Sequence, residues 1–163
     1  MRWWKRLSEW LEEEAYGKNV FFIMVAAVVF CLSWSATALF LIRCVSAGAA
    51  LASIVNVLRL DLYSPFILFA LAFFEELLFR LPLALFVRVG WSLNRVLIIA
   101  IAISMYFGFS HGGVSHIFVQ GVDGFIFSMV FLKCGGWQKH YAKALLASST
   151  THFMYNGVLM CLA

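Results

Sequence analysis

Glu75, Glu76 and Arg80 stand near the middle of an apolar run that follows Pro65. At the centre of a lipid-facing helix each would cost about 2.5 to 3.5 kcal/mol on insertion scales. They must therefore face protein or water. Glu76 and Arg80 are four residues apart on one helix face, which permits an ion pair that offsets part of the burial. Glu75 has no such partner in its own helix and must find one elsewhere. Two other apolar segments offer candidates. His111 closes the string Phe107-Gly108-Phe109-Ser110-His111, and His152 lies four residues before Asn156, so that His152 and Asn156 share a face. A carboxylate, a second base and a pair of donors can together activate water and stabilise a developing oxyanion. Three helices, each sending polar groups inward, is how sites are built inside bundles.

The elements that must position these residues follow from composition. Of 163 residues 64% are hydrophobic and only 12% charged, and the mean hydropathy is +0.93. That is more apolar surface than a water-soluble domain of this size can cover, so part of its solvent is lipid. The expected fold is all-α, a polytopic bundle of about five spans: 19–42, 66–87, 93–111, 117–132 and 144–162. Residues 1–163 read as one membrane domain. The first 18 residues mix Trp3, Trp4 and Trp10 with basic and acidic residues, which predicts an amphipathic helix at the membrane surface. Residues 43–62, with a small-residue stretch from Ala47 to Ser53, are read either as an interfacial helix or as part of a tilted span.

The net charge of +4 is spread over the connections between apolar runs, which makes it a topology signal and excludes a nucleic-acid patch. With the N-terminus inside, Arg2, Lys5, Arg6, Lys18, Arg88, Arg95, Lys133, Lys139 and Lys143 lie on the inner side, and only Arg43 and Arg59 on the outer. The expectation is a multi-pass protein with a cytoplasmic N-terminus, in the plasma membrane of a prokaryotic cell. Cys31, Cys44, Cys134 and Cys161 are scattered in or beside apolar segments and are read as small buried hydrophobes.

Singly, the motifs carry little: F-x-x-x-H arises by chance about 0.4 times in such a chain and H-x-x-x-N about 0.1 times. Their order, one to a span after a buried E-E-x-x-x-R, carries far more. In Glu75-Glu76-Leu77-Leu78-Phe79-Arg80, Phe107 through His111, and His152-Phe153-Met154-Tyr155-Asn156, the chain resembles the CAAX protease and bacteriocin-processing family, which includes the type II CAAX prenyl endopeptidases. The resemblance covers about residues 64–162 as a catalytic core. Larger members carry more helices, and many follow the arginine with glycine where this chain has Leu81 and Pro82. The resemblance implies an intramembrane endopeptidase in which Glu75, with His111, activates water. His152 and Asn156 then stabilise the oxyanion, with Glu76, Arg80 and Phe107 in support. Glu75 is preferred to Glu76 as the base. The implied partners are the lipid bilayer and a membrane-anchored peptide or protein: a prenylated C-terminus, a bacteriocin leader or a sorting tail.

No cofactor is expected. The alternative is a zinc site built from Glu75, His111 and His152, although H-E-x-x-H is absent. Ser110 is read as a structural residue at a helix end. His116 and His140 fall in or near expected connections and are assigned no role. The competing function is non-enzymatic, an immunity factor, scaffold or transporter whose intramembrane charges form a buried network.

Overall fold

A computed structural model of the chain describes residues 2–45 and 65–162. The described residues form an all-α bundle of six helices: α1 Arg2–Glu12, α2 Lys18–Val45, α3 Pro65–Arg88, α4 Leu93–Ser110, α5 Val114–Gly136 and α6 Tyr141–Leu162. Residues 46–64, which take in most of the segment 43–62 read as an interfacial helix or tilted span, lie outside the described residues, as do Met1 and Ala163.

Three of these helices are long and apolar enough to cross a membrane: α2 over Lys18–Ile42, α4, and α5. The chain is a membrane protein. At 24 and 22 residues, α3 and α6 occupy the positions of the other two expected spans. They are less apolar because α3 carries Glu75, Glu76 and Arg80, while α6 carries the run Ser148 to His152 and Asn156. Polarity is distributed inside out. Glu76, Arg80, Ser104, Asp123, Ser128, Ser149 and Thr151 are buried, whereas Phe22, Phe40, Phe66, Phe74, Leu78, Ile98 and Phe118 face outward. Such a surface suits lipid, where packing and internal hydrogen bonds hold helices together.

The largest core cluster sits at one end, where Leu83, Val87, Leu93, Val96, Leu132 and Ala144 close around Leu11 of α1. α1 ends at Glu12, shorter than the expected 18-residue helix, because the chain turns to dock. The carbonyls that a helix C-terminus leaves unpaired are taken by side chains. Lys133 Nζ donates to Trp10 O and Glu13 O, and the Gln138 amide donates to Leu11 O and Glu12 O. Beyond the helix, the Glu14 carboxylate accepts from Lys143 at 2.7 Å and faces His140 Nδ1 at 3.0 Å. Hydrogen bonds from Lys143 first, then from Tyr16 and His140, hold its carboxyl pKa down at about 2.

α5 is the irregular element. Its turns at Ile117–Gly121 and Leu132–Gly136 are π-helical, and the second ends through Gly135 at φ 126°. The first wide turn lets α4 come close. A Cβ on Gly108 would lie 2.6 Å from both Gly121 N and His116 O, so only glycine fits there. Trp34 of α2 donates its indole N–H to Phe118 O, at 2.6 Å, within the same turn. Of the cysteines, Cys31 and Cys134 are buried free thiols as expected and Cys161, near the end of α6, is exposed, while the Cys44 side chain lies outside the described residues.

Candidate functional site

The expected ion pair is present and more elaborate than one helix could make it. Arg80, 1% exposed, donates Nε to Glu76 Oε2 at 2.8 Å and Nη2 to Glu76 Oε1 at 3.1 Å. Nη2 also reaches Gly124 O at 3.0 Å, and Nη1 reaches Ser128 Oγ at 2.9 Å. The guanidinium thus joins α3 to α5 and has four of its donor contacts satisfied by protein. Glu76 is completely buried. A bidentate pair with extra hydrogen bonds is the arrangement in which a buried charge survives desolvation.

Glu75, one residue earlier, faces the other way. Its side chain is 40% exposed and lines a cavity of about 310 Å³. Also lining this cavity are Phe107 and His111 from α4, and His152 and Asn156 from α6. The structure therefore brings together the residues that the three motifs put on separate helices. The cavity lies in the half of the bundle away from α1, between the first turns of α3 and the last turns of α6, as its apolar walls Leu68, Leu71, Leu159 and Met160 show. His111 caps the C-terminus of α4 and lines the cavity from there.

Each ring nitrogen has a definable task. His111 Nδ1 lies 2.7 Å from Phe107 O. A carbonyl only accepts, so Nδ1 carries the proton and Nε2 of the neutral ring keeps its lone pair. His152 is clamped between Phe127, stacked at 4.8 Å, and the edge of Phe107 at 6.0 Å. Its Nε2 lies 3.7 Å from Glu75 Oε2, and its Nδ1 lies 3.3 Å from Glu76 Oε1 but out of line for a hydrogen bond. His152 thus stands between the sealed carboxylate and the open one. Phe107 also packs its ring 4.9 Å from Phe79 and against Gly124, where a Cβ would come within 2.9 Å. Ser110 donates to Phe107 O at 2.8 Å, a helix-end contact that leaves it no part in the cavity.

Two assignments change. His116, expected as a solvated connection residue, is 6% exposed and lines the cavity. Its Nδ1 donates to Gln120 Oε1, and its ring lies against Gly112. The cause is that α5 begins at Val114, earlier than the expected 117, which draws His116 into the helix. Asp123 was not singled out at all. It is 1% exposed, lines the same cavity, and its Oδ2 accepts from Ser35 at 2.9 Å and Tyr155 at 2.8 Å. His140 is exposed and serves only Glu14. Among the described residues no group of three His, Cys, Asp or Glu side chains is gathered closely enough to hold a metal ion.

Chemically, the cavity presents a solvent-accessible carboxylate, an imidazole with a free lone pair, and a donor pair one helical turn apart, within apolar walls. A base beside donors for a developing negative charge is the minimum for hydrolysis of an acyl bond. No family model matches the chain, and neither the curated proteins nor the solved structures contain a match.

Proposed function

We propose that this membrane protein is an intramembrane endopeptidase that hydrolyses a peptide bond of a membrane-associated substrate with water activated by Glu75. The observation that carries the reading is the division of labour between adjacent carboxylates. Glu76 is sealed with Arg80 behind the wall, and Glu75 stands in the cavity with His111, His152 and Asn156. The same residues carry the resemblance to the CAAX protease and bacteriocin-processing family. Glu75 takes a proton from water with the help of His111 Nε2, and the hydroxide attacks the scissile carbonyl. His152 and Asn156 donate to the tetrahedral oxyanion, and a protonated side chain returns the proton to the leaving amine. The Glu76–Arg80 pair fixes the turn of α3 from which Glu75 projects.

In this reading the N-terminus is cytoplasmic. Supporting it, Lys18, Arg88, Arg95, Lys133, Lys139 and Lys143 stand at or near the helix termini around the α1 end of the bundle. The cavity half then faces the outer side of a prokaryotic plasma membrane. That favours a leader or sorting tail anchored in the outer leaflet over a prenylated C-terminus presented from the cytoplasm. The test is a cleavage assay in nanodiscs with a prenylated CAAX peptide, a leader peptide and a membrane-anchored sorting tail, with and without a metal chelator. Chelator-insensitive cleavage of any of the three supports the proposal. Folded protein that cleaves none of them counts for the scaffold or immunity reading.

A further inference from the structure

Asp123 holds a second polar station on the cavity that the proposed hydrolysis does not use. Its Oδ2 is fixed by Ser35 of α2 and Tyr155 of α6, whose hydroxyls are also 2.8 Å from each other. Its Oδ1 is buried and makes no hydrogen bond. The thiol of Cys31, a weak donor, also faces the carboxyl, and His152 acts on it through space. A buried acceptor without a protein donor is an incomplete site, because burial without a hydrogen bond is costly. Besides Tyr155, the other titratable groups of the cavity lining are Glu75 and three histidines, His111, His116 and His152. Asp123 and Glu75 line the cavity, and among the described residues no lysine or arginine does. The buried Arg80, which reaches the carbonyl of the adjoining Gly124, is committed to Glu76, Gly124 and Ser128. One turn before Asp123 on α5, Gln120 has its oxygen occupied by His116, which leaves its amide N–H groups to a ligand carbonyl.

We propose that the cavity is a subsite for a cationic side chain, in which the ammonium or guanidinium group of a substrate lysine or arginine pairs with Asp123 Oδ1 while the apolar walls hold its methylene stem. The inference rests on this cavity being where the proposed peptidase binds its substrate, but it is read by binding and does not need cleavage.

The experiment uses the full chain carrying Glu75→Gln, in nanodiscs, so that peptides bind uncleaved and Asp123 is the remaining lining carboxylate among the described residues. Membrane-tethered peptides identical except for lysine or norleucine at successive positions are titrated by fluorescence anisotropy. The same pairs are titrated against Glu75→Gln/Asp123→Asn protein, so that partition into lipid cancels. The expected result is one position at which lysine is favoured about tenfold to a hundredfold, with the preference lost in the double variant. A third protein, Glu75→Gln/Tyr155→Phe, frees the carboxylate from one donor and is expected to strengthen the preference. If lysine and norleucine bind alike at every position to the Glu75→Gln protein, the proposal is overturned whatever the other variants do. A lysine preference in a protein whose wild type cleaves nothing upholds the subsite and sinks the peptidase.

Discussion

Replacing Arg80 by methionine removes the guanidinium while keeping most of the buried stem. Four hydrogen bonds go with it: two to Glu76, one to Gly124 O and one to Ser128 Oγ. Ser128 still donates to Gly124 O at 3.0 Å, so the loss on α5 is partly made good. Glu76 keeps only the poorly aligned Nδ1 of His152. Removing one partner of a buried pair costs about 3 to 5 kcal/mol, because the other charge is stranded. This corresponds to a fall of about two to three and a half orders of magnitude in the folded-to-unfolded ratio. Glu76→Gln/Arg80→Met strands no charge and is expected to recover most of that loss, giving a strong coupling energy in a double-mutant cycle. Reversible unfolding in mixed micelles, followed by tryptophan fluorescence, measures both. If Arg80→Met costs under about 1 kcal/mol, or if the two substitutions add, the pair is not the buried anchor described above.

Gly108→Ala forces a methyl group into the backbone of the α5 π turn and is expected to destabilise by about 1 to 3 kcal/mol, read as a lowered Tm. Leu11→Ala is expected to cost about 2 to 5 kcal/mol of α1 docking, because this side chain is fully buried among Leu83, Val96 and Leu132. Hydrogen exchange of α1, compared with that of α4, would show it. The Glu14 carboxyl has its pKa depressed to about 2 from the ordinary 4.5. Its contribution to docking is therefore complete above about pH 4.5 and is lost as the pH falls towards 2. Exchange of α1 should rise over that window in wild type, and a Glu14→Gln protein should show no such rise.

The sequence makes α3 legible because charge at membrane depth is expensive: Glu75, Glu76 and Arg80 could not face lipid, and their spacing paired Glu76 with Arg80. The cavity-lining positions of α4 and α6 were legible for a related reason, since Phe107 and His111, like His152 and Asn156, stand one helical turn apart. The α5 contribution escaped because Gly112 and Gly113 read as a loop running to 117. The signal was nonetheless present: His116, Gln120 and Asp123 fall at the i, i+4, i+7 spacing of one helix face. Ser35 and Tyr155 could not have been found, since their meeting at Asp123 depends on how α2, α5 and α6 pack. The π turns were equally hidden, because a wide turn is set by the close approach at Gly108. The early end of α1 follows from contacts made by Lys133 and Gln138, more than 120 residues away.

The central claim, that Glu75 is the base, is met most directly by comparing wild type with Glu75→Gln, an isosteric change in a side chain that already reaches the cavity. Both proteins are reconstituted and matched for Tm, and are given the membrane-tethered peptide that wild type cleaves fastest, with and without chelator. Loss of a general base predicts a drop in kcat of about 10² to 10⁴ with KM little changed, and no response of wild type to chelator. A Glu75→Gln protein that turns over at the wild-type rate would contradict the assignment and return the base to another residue of the cavity.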